Sequence, residues 1–467
     1  MVLTPGQRNF CHSWNRKISG NKTIFAGTVG LALAAAQVLA PPAQAEDKSA
    51  TESLWGRDTL TGDWGGERPK LIADGITLGL KYTGETFSTV IGGVRRGDAT
   101  DHQFLATGDI DFDKAADIEG LSGHVSALSV VGHGPSFSQV KNVLDISSNE
   151  IYGEGEVKNR LWTLWLQQTA LDGQLSLRFG QISVDDEFMV SSTAANLING
   201  TFGAFGLMFG NLPAGQPVDP YSPQNGPIYP QGAPGLRLAY VPTNNLAWLT
   251  AVTTHQPESF LRGGAQFKFD GNALIISELQ YMVNQAKDAA GLPAKFTVGG
   301  WYDAGAYANL GRPGTTQGEG AVYAQIDQTV LKTDDYAVSL FLRPGMAPDQ
   351  TINVITTYVD AGVGVKGLIP NRTDDVTTIG FAYAGVGNGF KAQYGGGTYE
   401  GIIEVDYTAA LAPWWTVQPD FQYVIHPAFA VPGATDVAIP NIYTPPIVPN
   451  SRIPNATVLG ARTTITF

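Results

Sequence analysis

Ten residues carry most of the usable chemistry in this sequence: Lys81, Glu85, Trp165, Arg178, Arg237, Glu278, Trp301, Arg343, Asp360 and Glu404. They mix both signs of charge with two indoles. Lys366, Arg462, Asp109 and Asp111 extend the set. Carboxylates accept hydrogen bonds, ammonium and guanidinium groups donate them, and indole faces are flat and apolar. Such a mixture suits a neutral, hydroxyl-rich solute that must exchange water for protein donors and acceptors. Each residue also has a plainer role. A charge in a polar interior pairs with its neighbour, and an indole sits in an interfacial belt.

Catalysis finds little support. His102, His124, His133, His255 and His426 show no HExxH spacing, and there is no nucleophile elbow. Asp109-x-Asp111-x-Asp113 has calcium-loop spacing but lacks the glycine and the terminal glutamate of that motif. The only cysteine, Cys11, lies in the N-terminal segment. Without it there is no disulfide framework, thiolate metal site or thiol nucleophile. We therefore expect no enzyme activity, no metal site and no cofactor.

The elements that position these residues are strands. Alternation with a period of two recurs along the chain. Ile76, Leu78, Leu80 and Tyr82 oppose Thr77, Lys81, Thr83 and Glu85. Phe104, Ala106, Ile110 and Phe112 oppose Thr107, Asp109, Asp111 and Asp113. Leu175, Leu177 and Phe179 oppose Ser176 and Arg178; Ile275, Leu279 and Tyr281 oppose Glu278 and Gln280. Val359, Ala361, Val363 and Val365 oppose Asp360 and Lys366, and Ile403, Val405 and Tyr407 oppose Glu404 and Asp406. Trp165 and Trp301 fall on the polar face by the same parity. A β-sandwich alternates too, but about sixteen long strands are too many for one sandwich. One apolar and one polar face, repeated in strands of about ten residues, marks a transmembrane β-barrel. The chain ends Arg462-Thr463-Thr464-Ile465-Thr466-Phe467, an alternating strand with an aromatic terminus. Leu459, Ala461, Ile465 and Phe467 are expected on its lipid face, and Phe467 is expected to matter for assembly.

Residues 1–45 read as a signal peptide. Arg8, Arg16, Lys17 and Lys22 precede an apolar stretch from Ile24 to Ala40, and Ala43-Gln44-Ala45 is a small-x-small cleavage site. Residues 46–75 form an N-terminal periplasmic segment with a short helix over Glu67–Asp74, closed by Gly75. Residues 76–467 are the barrel. Losing four cations and no anion makes the formal net charge of −13 more negative still. An acidic chain argues against nucleic acid as partner. Asn211–Gly235, with seven prolines, and Val431–Pro454, with six, are loops. Asp185-Asp186-Glu187 and the stretch Ser191–Gly206 break the alternation and read as a loop inserted into the pore.

Several blocks resemble the OprB-type carbohydrate-selective porin family. They are Leu60-Thr61-Gly62-Asp63-Trp64-Gly65-Gly66-Glu67-Arg68; Arg178-Phe179-Gly180-Gln181 with Asp185-Asp186-Glu187-Phe188; Tyr229-Pro230-Gln231-Gly232-Ala233-Pro234-Gly235-Leu236-Arg237-Leu238; Gly299-Gly300-Trp301-Tyr302; Gly367-Leu368-Ile369-Pro370-Asn371-Arg372; and Gln418-Pro419-Asp420-Phe421-Gln422-Tyr423-Val424. The resemblance spans nearly all of the chain after residue 45. Asp303 and Gln167 depart from the family pattern, which has histidine and glutamate there.

The resemblance implies an all-β, antiparallel transmembrane barrel of sixteen strands in the Gram-negative outer membrane, with long loops. It implies passive diffusion of small carbohydrates such as monosaccharides, with the ten residues above lining the pore. Partners are then the sugars and the outer-membrane lipids, and the protein is a monomer or a homotrimer. Two other readings fit the residues: a pore for other small solutes or cations, and a structural or adhesive barrel acting through its loops.

Overall fold

The computed structural model describes residues 53–150, 157–203, 205–211, 226–255, 263–265, 267–269, 271–286, 289–430 and 452–467. The signal-peptide segment lies outside them, as do 212–225 and 431–451 of the two proline-rich loops.

Sixteen strands make one closed antiparallel barrel. The first eight are β1 (Ile76–Ile91), β2 (Gly97–Asp111), β3 (Leu121–His133), β4 (Val157–Ala170), β5 (Leu175–Ile182), β6 (Ala233–Thr243), β7 (Leu246–Thr254) and β8 (Ala273–Val283). The second eight are β9 (Ala294–Ala308), β10 (Thr315–Lys332), β11 (Ala337–Met346), β12 (Ile355–Lys366), β13 (Val376–Val386), β14 (Tyr399–Ala412), β15 (Trp415–Ile425) and β16 (Ala456–Thr466). Every strand pairs with its sequence neighbours, and β1 pairs with β16 to close the ring. Closure removes both sheet edges, which a bilayer demands because lipid offers no hydrogen-bond partners.

The alternation sets the two faces. Leu78, Phe104, Leu177, Phe179, Leu279, Ile403 and Leu459 point out and are exposed on the isolated barrel; Glu85, Arg178, Glu278, Asp360 and Glu404 point in and are buried. One stretch departs from its expectation. The alternation read through Phe112 and Asp113 stops at Asp111, and Phe112–Ala116 is a short helix, α2. Asp111 caps it, its Oδ1 accepting from the Asp113 backbone N–H at 3.1 Å, so the carboxylate side chain ends the strand. A second difference concerns Asn211–Gly235. Its last three residues open β6, with Pro234 opposite Gln181. Proline is tolerated there because it sits at the strand's beginning.

The two ends of the barrel differ. At one end the turns are short, such as 171–174, 333–336 and 413–414; at the other lie the connections 134–156, 183–232 and 426–455. The segment from Leu60 to Gly75 and the end of β16 meet at the short-turn end. Helix α1 (Glu67–Ala73) lies there, ending at Asp74. Gly75 follows at φ +87°, where a Cβ would lie 2.5 Å from the Asp111 carbonyl, so only glycine fits the step into β1. The segment before α1 grips the last strand: Leu60 N–H donates to the Thr466 carbonyl at 2.8 Å, and Arg68 Nη2 to the Phe467 carbonyl at 3.0 Å.

Candidate functional site in the barrel lumen

The connection after β5 turns inward and crosses the lumen. Its described parts, 183–203, 205–211 and 226–232, include two short helices, α3 (Gly200–Gly203) and α4 (Gly206–Asn211). The wall holds it at successive points. Glu278 of β8 accepts from the Met189 N–H. Lys295 of β9 and Gln325 of β10 each donate to the Val190 carbonyl at 2.7 Å. Asp327 of β10 accepts from Ser191, Ser192 and Thr193, with hydroxyl distances of 2.6, 3.0 and 2.7 Å. Glu404 of β14 accepts from the Ile198 and Asn199 N–H groups at 2.6 and 2.9 Å.

The deepest clamp is Arg343 on β11. Its guanidinium pairs bidentately with Asp360 on β12 and donates to the Met189 and Phe202 carbonyls, each at 3.0 Å. Both side chains are essentially inaccessible. A planar fork meeting a carboxylate is the strong form of this bond.

The loop also brings an apolar core into the lumen, which polar-face parity does not reveal. Phe205 packs edge-on against Tyr358 at 4.8 Å, and Phe202 against Phe341 at 6.0 Å. Inward glycines leave the room. A Cβ at Gly380 would lie 2.4 Å from Leu197 and 2.9 Å from Phe202, and one at Gly345 would lie 2.9 Å from Leu207.

The wall from β3 to β6 is built differently. The β-register puts His124 opposite both Asp109 and Trp165, and Gln167 opposite Arg178. His124 Nδ1 lies 2.6 Å from Asp109 Oδ1. Its ring stacks on Trp165 at 5.0 Å, and the Arg178 guanidinium lies 3.8 Å from the centre of the indole. Arg178 and Arg237 are direct cross-strand neighbours. Glu187, from the inserted loop, reconciles the two cations. Arg237 grips it bidentately, at 2.6 and 3.0 Å, and Arg178 lies 3.3 Å from it. Gln167 Oε1 accepts from both, at 3.1 Å from Arg178 Nη2 and 2.7 Å from Arg237 Nη2. Burial alone would raise the Glu187 carboxyl; Arg178 and Arg237 outweigh it and hold the group below the usual carboxylate range. Its neighbours Asp185 and Asp186 are pushed upward by burial.

All ten residues named from the sequence fall on the lumen side of the wall, nine of them in three groups. Trp165, Arg178 and Arg237 are brought together. Glu278, Arg343, Asp360 and Glu404 hold the loop. Glu85 pairs with Arg462 across the β1–β16 seam, and Lys81 lies on the same face of β1. Trp301 stands apart, its Nε1 donating to Glu319 at 2.8 Å. Neither indole is an outer belt residue. Sequence reasoning missed His124, Lys295 and Asp327. Parity alone points all three inward; their partners come from other strands or from the loop.

Known proteins share this fold. A family model described as carbohydrate-selective porin, OprB family, matches residues 95–467. Porin B of Pseudomonas aeruginosa is 26% identical over 452 residues, covering 86% of this chain and 93% of that protein. The high-pH structure of Pseudomonas putida OprB superposes with a TM-score of 0.73 at 20% identity, over 89% of this chain and 100% of that one. The low-pH structure gives 0.54 at 19% identity, over 88% and 99%. The chain is an outer-membrane β-barrel and belongs to the OprB family of carbohydrate-selective porins.

Proposed function

We propose that small sugars, monosaccharides foremost, diffuse downhill through this porin past the β3–β6 wall, whose Trp165, Arg178 and Arg237 form the cluster that the solute passes. The observation that carries this is the Arg178–Trp165–His124 stack, which puts a flat π surface beside charged donors and acceptors. A pyranose has an apolar face for stacking and hydroxyls that need donors and acceptors as they shed water. A hydrogen bond to a charged group contributes roughly 1.5–3 kcal/mol, and less in a wet lumen. That offsets partial dehydration yet lets the sugar leave. The process needs neither cofactor nor catalysis. In this reading the short-turn end and α1 face the periplasm, and export removes residues 1–45.

Cation passage is the second reading. The observation favouring it is the row of inward carboxylates Asp101, Glu85, Asp406, Asp420 and Glu404 on β2, β1, β14 and β15, where Arg462 pairs with Glu85. Liposome swelling with a sugar series, beside amino acids and salts of similar size, separates the readings. Faster entry of monosaccharides than of size-matched amino acids supports the first. Entry ranked by size alone, with salts of small cations fastest, supports the second.

A further inference from the structure

We propose that the lumen wall holds a structural calcium ion between Glu404, Asp406 and Asp420, behind the inserted loop. The register places Asp406 directly opposite Asp420, with Glu404 two residues away on the same inward face of β14. One oxygen from each lies within 4.8 Å of the others. Like charges directly opposite across a sheet repel, and here they do so out of reach of water: the three side chains are 0%, 1% and 5% exposed.

Two observations point to a cation here. The first is charge. Among the described residues no lysine or arginine forms an ion pair with any of the three, and Arg462, across from Gln418, is engaged with Glu85. The second is valence. One oxygen of each carboxylate is already held: Glu404 Oε1 by the Ile198 and Asn199 N–H groups, Asp406 Oδ2 by Gln418 Nε2 at 2.9 Å, and Asp420 Oδ2 by Gln422 Nε2 at 3.2 Å. The other oxygen of each, Glu404 Oε2, Asp406 Oδ1 and Asp420 Oδ1, is buried and accepts nothing. Buried carboxylate oxygens require a proton donor or a cation.

The donor set is oxygen only, which selects a hard cation. Calcium binds oxygens at about 2.3–2.6 Å, so ligands facing each other across it stand about 4.6–5.2 Å apart, whereas magnesium draws them to about 4.0–4.2 Å. Three oxygens that all lie within 4.8 Å of one another fit inside calcium's coordination sphere. Because Glu404 also holds Ile198 and Asn199, the ion ties the far reach of the loop to the wall. No motif announces the site in the sequence, where Glu404-x-Asp406 reads only as strand alternation and Asp420 lies on the next strand.

The test uses the whole barrel, refolded in detergent free of lipopolysaccharide, stripped with chelator, and dialysed against calcium up to about 1 mM, the range of extracellular calcium modules. Bound metal is measured by mass spectrometry, and folding is checked by heat-modifiable mobility. We expect close to one calcium per wild-type chain, at least about fivefold less in the Asp406→Asn/Asp420→Asn double variant, and a calcium-dependent rise in unfolding temperature in the wild type alone. If the double variant does not fold, Glu404→Gln takes its place. Equal calcium in wild type and folded variant, or magnesium retained as tightly as calcium, would overturn the proposal. The readout is metal content, so the sugar reading stands or falls separately.

Discussion

Two sectors of the same lumen use the same residue types for different ends. On β8–β14, inward charges face the inserted loop and are engaged with its backbone: Arg343 with the Met189 and Phe202 carbonyls, Glu278 and Glu404 with N–H groups. On β3–β6, among the described residues, the loop's direct contact with the cluster is Glu187, and the rest of the network is wall on wall, with Arg178 lying over Trp165. Strand parity treats the two sectors alike. What stands in front of a side chain decides whether it anchors or meets solute.

Breaking the anchoring sector should give the largest effect. Arg343→Ala leaves the Asp360 carboxylate buried without its cation, and uncovering one member of a buried pair costs about 3–5 kcal/mol. We expect a lower unfolding temperature by heat-modifiable mobility, together with higher single-channel conductance as the loop detaches. Gly380→Val comes next. Its Cβ would lie 2.4 Å from Leu197, and overpacking of this kind costs about 1–3 kcal/mol. Planar-bilayer recordings should show raised or noisy conductance in a barrel that still assembles.

Acid sharpens the contrast at Glu187. Its folded pKa is depressed, so its contribution is fully present above the unfolded value of about 4.3 and is lost as pH falls through the lower, folded value. The difference in unfolding temperature between wild type and Glu187→Gln, followed against pH, should therefore hold level down through the ordinary carboxylate range and close only below it. The smallest effect belongs to Arg178→Lys, which keeps the charge but loses the planar stack on Trp165, worth about 0.5–1 kcal/mol. Reversal potentials should barely move, while entry of glucose into liposomes slows by roughly two- to fivefold.

The barrel was legible in the sequence because lipid on one side and a polar lumen on the other enforce a period of two. Leu177, Arg178 and Phe179 could be assigned to faces without any knowledge of their neighbours. The grouping of the site was not legible. Arg178 and Arg237 meet only because 183–232 leaves the sheet and β6 returns beside β5. His124 meets Trp165 through the β3–β4 register, which slips by a residue at Ser126–Ala127, and a slip of that kind leaves no mark in composition. The loop was visible as a break in alternation at Asp185-Asp186-Glu187. Its apolar packing was not, because Phe202, Phe205 and Leu207 acquire their partners Phe341, Tyr358 and Gly345 from strands more than a hundred residues away. The end of the strand run at Phe112 was hidden for a local reason: an aspartate that fits strand alternation also caps a helix.

The central claim is that the β3–β6 wall, not the anchoring sector, discriminates between sugars. The most direct measurement is liposome swelling by Trp165→Leu barrels, with glucose, a pentose and a disaccharide ranked by rate against wild type. Removing the indole takes away the stacking face and Arg178's partner while leaving every loop anchor on β8–β14 in place. The account predicts normal yield of folded barrel and a ranking that collapses towards size alone. An unchanged ranking, with glucose keeping its wild-type advantage, would contradict it.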